Sequence, residues 1–193
     1  MRSIELTFDP ALEAAVRAEW AALQAAGLPN LGRHPDASNR PHLTVAAGSA
    51  LEITDALTRL FTTAHVETTP TSYGGQHVPA QVQPPTLPVD IRVSGLLLFR
   101  AGSGRFVLAR AVVMSEALLT LHRAVLEQAA GAVELTQPDR WTPHVTLARR
   151  INAGQVAEAL DILGEPPAPG RAVAARFWNG ETKTLTALTA AQA

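Results

Sequence analysis

A chain of 193 residues has room for one domain, or two tightly joined lobes, with a sizeable core. Hydrophobic content of 47% excludes a disordered chain, and a net charge of −1 excludes a basic surface that wraps a long polyanion, while allowing one phosphate to be gripped in a local cleft. Without cysteine there is no disulfide, thiolate metal site or Cys nucleophile; with no apolar run near the ~20 residues of a membrane helix and no signal peptide after Met1, a cytoplasmic location is expected.

Ser3 to Phe8 alternates in the manner of a strand. Asp9-Pro10 then supplies an N-cap and a proline for the first helical position. The helix expected over Ala11 to Ala26 carries Leu12, Val16, Trp20 and Leu23 at helical spacing, which makes Trp20 a core residue, and Gly27 and Pro29 stop it. Pro29 to Pro41 reads as a loop containing Arg33, His34 and Arg40. A strand follows over Pro41 to Ala46. Ser49 to Glu52 has the capping-box pattern of a helix running to about Thr63.

His65 to Pro88 is rich in Thr, Pro, Gly and Gln. It reads as a short strand and then a long loop of the kind that often serves as a functional lid, in which Tyr73 is a candidate for stacking on a base. Val89 to Arg100 and Arg105 to Met114 are expected as strands joined by the hairpin Ala101-Gly102-Ser103-Gly104. Ser115 caps a helix to Ala130, and His122 within it is taken as structural. A second motif strand, Pro143 to Ala148, is followed by Arg149 and Arg150 and then by a helix over Ala153 to Leu163. Arg171 to Trp178 and Thr182 to Leu188 close the chain as a strand pair around Asn179-Gly180, a tight-hairpin signal.

The two motif strands are one hexapeptide written twice. Pro41-His42-Leu43-Thr44-Val45-Ala46 and Pro143-His144-Val145-Thr146-Leu147-Ala148 share four identical positions and exchange aliphatic residues at the other two. Roughly 0.04 Pro-His-x-Thr strings are expected by chance in such a composition, against the pair present. Strand side chains alternate between faces, so each copy presents an imidazole beside a hydroxyl and turns its aliphatic residues into a core. The offset of 102 residues also maps the opening strand onto Phe106 to Leu108, and the helix after the first motif onto the one after the second. This reads as an internal duplication of a β-α-β-α-β-β unit.

Histidine can take or give a proton near neutral pH. Two imidazoles on either side of one phosphorus suit in-line displacement, and each Thr hydroxyl can donate to a non-bridging oxygen as charge builds there. The set needs no metal or other cofactor, and His-x-Thr is poor metal-ligand spacing. Arg40 has the strand parity of His42, which would aim a guanidinium at the same pocket. By the same parity Arg150, rather than Arg149, falls on the His144 face.

The paired His-x-Thr motifs resemble those of the 2H phosphoesterase superfamily, and in particular its 2′-5′ RNA ligase and cyclic phosphodiesterase branch. Ser3 to Pro10 resembles the opening strand of that branch, and Asn39 to Val45 and Thr142 to Arg149 resemble its two motifs. The resemblance implies an α+β fold of two pseudo-symmetric lobes, about 1–100 and 101–193, within a single bilobal domain. Antiparallel sheets would face a central cleft, with helices outside. It implies hydrolysis of 2′,3′-cyclic phosphate at RNA ends to 2′-phosphate, and reversible 2′-5′ ligation. His42 would be general acid and His144 general base, with Thr44, Thr146 and an arginine on the phosphate. The family pattern favours Arg149, directly after Leu-Ala. A monomer acting on RNA ends or small nucleotide phosphates is expected. The alternatives are a phosphodiesterase for a small cyclic nucleotide phosphate and a non-catalytic binder of RNA ends or nucleotides.

Overall fold

The computed structural model describes residues 1–33, 36, 38–62 and 86–189. The opening strand, β1 (Arg2–Phe8), buries Ile4, Leu6 and Phe8 in one phase and carries Ser3, Glu5 and Thr7 in the other. It leads into helix α1 (Pro10–Ala25), where the Asp9 carboxylate accepts from the Leu12 N–H at 2.9 Å as the sequence expects of an N-cap. The other Asp9 oxygen accepts from the Arg171 N–H at 2.6 Å, so one side chain caps α1 and ties it to a distant strand. Trp20 is buried in the apolar stripe, as its spacing predicts.

The first motif forms β2 (His42–Gly48). The next helix starts later than Ser49-Glu52 suggests. Leu51 is fully buried and its carbonyl accepts from Arg2 Nη1 at 3.1 Å, which holds this stretch out of a helix. Thr54 caps instead, its hydroxyl accepting from Leu57 N–H at 3.0 Å, and α2 spans Asp55–Thr62. The single strand expected over Val89 to Arg100 is divided at Arg92 into β3 (Val89–Ile91) and β4 (Val93–Arg100). The reason lies in pairing: β3 joins the last long strand and β4 joins the next one, β5 (Arg105–Val112). The glycine-rich hairpin between β4 and β5 forms as expected.

Helix α3 (Glu116–Gln128) is capped by Ser115, the second motif forms β6 (His144–Asn152), and α4 (Ala153–Ile162) starts at a capping box of Asn152 and Gln155. Strands β7 (Gly170–Asn179) and β8 (Thr184–Ala187) follow. Their connection is longer than a two-residue hairpin. The Asn179 side chain accepts from the Glu181 N–H at 3.0 Å, and Lys183 takes a positive φ. Gly180 is required for a different reason: its amide donates to the Met1 carbonyl at 3.0 Å, and a Cβ there would sit 2.5 Å from that oxygen.

The strands form one antiparallel eight-stranded sheet, ordered β3-β7-β1-β2-β6-β5-β4, with β8 also on β7. Its centre is the meeting of the two motifs, which register only at Leu43↔Val145, the equivalent positions of the repeat. On either side the trios β7-β1-β2 and β4-β5-β6 mirror one another, each completed by a strand from the other half of the chain. This is the α+β architecture of two pseudo-symmetric lobes, joined as one sheet rather than two. Helix α1 lies on the Leu43/Val145 face: Arg110, in register with Val145, is buried and donates to Glu19 of α1 at 2.9 Å and to the Gly164 carbonyl at 2.9 Å.

Gly48 ends β2 directly against the loop after α3. A Cβ there would lie 2.0 Å from the Gly131 carbonyl oxygen, and backbone cannot swing aside as a flexible side chain does. Gly48→Ala is therefore expected to cost about 1–3 kcal/mol through forced overpacking, read as a lower urea midpoint with unchanged slope. An unchanged midpoint would show that the Gly48–Gly131 contact yields freely.

Candidate active site

Both motif strands bury their residues in the same order. In β2, Leu43 and Val45 are buried while His42 and Thr44 are half-buried; in β6, Val145 and Leu147 are buried while His144 and Thr146 are half-buried. Antiparallel register through Leu43↔Val145 sets His42 alongside Thr146 and Thr44 alongside His144. All four side chains therefore share the face opposite α1. The two histidines are diagonal neighbours, a relation that places Cβ atoms roughly 7–8 Å apart or slightly less.

The single registered pair has a second consequence. Where β2 and β6 diverge, the carbonyls of Thr44 and Thr146 lose strand partners, and unpaired buried carbonyls are costly. Two indoles supply the donors: Trp141 Nε1 to the Thr44 carbonyl at 3.0 Å and Trp20 Nε1 to the Thr146 carbonyl at 3.2 Å. Trp141 is itself stacked on His122 with ring centroids 3.8 Å apart. His122 donates from Nε2 to the Thr136 carbonyl at 2.9 Å, the structural role its sequence position suggests.

Each motif histidine is pinned through Nδ1. His42 Nδ1 is 2.8 Å from the Arg40 carbonyl and His144 Nδ1 is 2.7 Å from the Thr142 carbonyl. A carbonyl oxygen only accepts, so both Nδ1 atoms carry the proton. In a neutral ring that leaves Nε2 bare and able to accept a proton; in a charged ring Nε2 is a donor.

The surroundings of the two rings differ. His144 lies against Phe99, ring centroids 4.7 Å apart, and the register puts Ala111 beside it and Ala109, Val107, Leu97 and Phe99 on the same face. Burial pushes the His144 pKa below its ordinary value, against the opposing pull of the Thr142 carbonyl, and the charges of His42 and Arg149 lower it further. On the His42 side the corresponding face holds Ser3, Glu5 and Thr7 of β1 and Arg176 of β7. Glu5 places Oε1 3.7 Å from His42 Nε2, a distance of charge attraction rather than of hydrogen bonding.

Arg40 and Arg150 are placed differently from the strand-parity reading. The Arg40 guanidinium is taken up by Glu13 of α1, with Nε to Oε2 at 2.9 Å, so it is not aimed at the His42 pocket. Burial raises the Glu13 pKa, but the bonds from Arg40 and Arg17 outweigh it and hold the carboxyl below its usual value. The parity argument for Arg150 fails because the β5–β6 register slips twice. Leu147 and then Arg150 are extra residues, and Arg149 pairs with Val107, which returns Arg149 to the face of His144 and Thr146. Arg150 takes a positive φ at the second slip. Tyr73 and His34 lie outside the described residues.

Sequence reasoning missed Glu5 and Arg176. The signal was available in the polar phase of β1, Ser3-Glu5-Thr7, whose repeat equivalents Arg105-Val107-Ala109 include no carboxylate. Arg176 left no local signal, because its place beside Glu5 arises from pairing between the two ends of the chain.

No helix among the described residues is long and apolar enough to cross a membrane. Comparison with curated proteins gives no match. Among solved structures the chain is similar to that of Kluyveromyces marxianus Usb1 with uridine monophosphate, at 11% identity and a TM-score of 0.46, over 98% of this chain and 97% of that one. The family model described as the 2′-5′ RNA ligase superfamily matches residues 15–184, a span that holds both His-x-Thr motifs, and the chain belongs to that superfamily.

Proposed function

We propose that the protein is a metal-independent RNA-end phosphodiesterase that hydrolyses a 2′,3′-cyclic phosphate to a 2′-phosphate. The observation that carries this reading is the paired arrangement: two imidazoles, each pinned at Nδ1, beside two hydroxyls on one face. Water attacks phosphorus while His144 Nε2 takes its proton. The bond from phosphorus to O3′ breaks, and His42 Nε2 gives its proton to O3′. Thr44 and Thr146 donate to the non-bridging oxygens, with Arg149 adding charge on the His144 side. With a 5′-hydroxyl attacking in place of water, His144 takes its proton, the bond from phosphorus to O3′ breaks and His42 protonates O3′, which leaves a 2′-5′ linkage; the two roles swap when O3′ attacks that diester and the 5′-hydroxyl departs.

The test is product analysis on an RNA ending in a 2′,3′-cyclic phosphate, with purified protein in EDTA. A 2′-phosphate product is expected. Affinity without product would instead identify a binder, and turnover only of small cyclic nucleotides would move the substrate class.

The pH dependence follows from the environment of His144. A general base works while neutral, and burial favours the neutral form, so activity survives acidification past the ordinary histidine value of about 6.5. The acidic limb of the kcat/KM profile is expected below that value, with an alkaline limb completing a bell. An acidic limb above 6.5 would mean that His144 is not the base.

A further inference from the structure

We infer that the Glu5–Arg176 pair is the positioning element of His42, holding its ring in place and setting it, rather than His144, as the proton donor. The inference rests on the two-histidine reading above and adds what distinguishes the histidines.

Arg176 acts as a three-way brace. Its Nε donates to Glu5 Oε2 at 2.9 Å, Nη2 lies 2.9 Å from the same oxygen, and Nη1 donates to the Ser38 carbonyl at 2.9 Å. The Ser38 carbonyl also accepts from the Arg40 N–H at 2.9 Å, and the Arg40 carbonyl is the group that receives His42 Nδ1–H. The arginine thus fixes the turn that fixes the ring. Its Nη2 lies 3.5 Å from His42 Nδ1, so the guanidinium also packs directly against the ring.

Glu5 is buried and held on its free side by Ser3 Oγ, which donates to Oε1 at 2.7 Å. That same Oε1 is the oxygen facing His42 Nε2. A buried carboxylate fixed by a hydroxyl and a guanidinium does not swing away to solvent, so its oxygen stays opposite Nε2, the atom that gives its proton to the leaving oxygen. The groups facing His42 are Glu5 from β1, Arg176 from β7, His144 from β6 and the Arg40 carbonyl from the preceding turn. Arg40's own charge is spent on Glu13. Glu5 is therefore the one anion in this set, and Val107 holds its place in the other half. The duplication kept both imidazoles and differentiated the floors beneath them, one ionic and one apolar.

The experiment compares Glu5→Gln with the parent protein on two substrates, an RNA 2′,3′-cyclic phosphate and a nucleotide ester with p-nitrophenolate as leaving group. A misplaced acid costs up to about 10²-fold where the leaving oxygen needs a proton, and much less where it does not. The loss should fall on kcat rather than KM, and NMR should show the His42 ring signals shifted or broadened relative to the parent as the ring loses its fixed place. Because Glu5→Gln leaves Arg176 buried without its anion, the double variant Glu5→Gln/Arg176→Met, which removes both charges, guards against simple misfolding and should show the same leaving-group selectivity. Equal losses on both substrates, or His42 ring signals identical to those of the parent, would overturn the assignment. The NMR arm needs no turnover, so it decides the Glu5–His42 coupling even if the cyclic phosphate proves the wrong substrate. Absence of turnover by the parent protein would count against the phosphodiesterase reading instead.

Discussion

Replacing either motif histidine with alanine is expected to lower turnover of a 2′,3′-cyclic phosphate by on the order of 10²–10⁴, the usual worth of a positioned acid or base. The two losses should differ in kind. With a leaving group that departs without a proton, His42→Ala should recover most of its deficit, because the acid has nothing left to do. His144→Ala should stay slow, because water still has to be activated. The surroundings motivate this division: a fixed carboxylate lies 3.7 Å from His42 Nε2, while His144 is desolvated and packed on Phe99. Rescue of His144→Ala alone would reverse the roles. Rescue of neither, with each single loss equal to that of the double variant, would mean the rings act as one coupled unit.

The parts of this site that could be read in the sequence are those carried by period and repetition. A two-residue period puts His and Thr on one face whatever the sheet around them, and the duplicated hexapeptide identified the two strands as counterparts. Asp9, Ser115 and the apolar stripe of α1 were legible for a similar reason, since caps and helical spacing are local. What the sequence hid depends on neighbours far along the chain. Arg149 reaches the His144 face only because the register slips at Leu147, and a slip is fixed by pairing with β5 rather than by the residue itself. Val45 occupies the equivalent position and β1–β2 slips there too, so the irregularity belongs to the repeat. Arg40 was lost to Glu13 because α1 passes close enough to bind it. Arg176 meets Glu5 across 171 positions of sequence. No window of a few residues contains either fact.

The hydroxyls should count for less than the imidazoles but for more than packing. Thr44→Val and Thr146→Val keep the branched shape that suits a strand and remove only the donor. Among the described residues neither hydroxyl is committed to another hydrogen bond, while the carbonyls of the same residues are held by Trp141 and Trp20. Backbone position should therefore survive the substitutions, and the loss should report the bond to phosphate. Removal of one such donor typically costs ~10²–10³ in kcat. The two should not be equal. Thr146 is in register with Ala109 on the apolar side, whereas Thr44 is in register with Glu5, whose carboxylate weakens any developing negative charge held beside it. A hydrogen bond to charge is stronger where the surroundings are less polar. Thr146→Val is expected to lose at least as much as Thr44→Val. The double variant should fall short of the product of the two losses if either hydroxyl can partly cover for the other on one phosphate. A Thr146→Val protein with parental kcat/KM would remove that residue from the site, and a larger loss at Thr44 would place the developing charge on the His42 side.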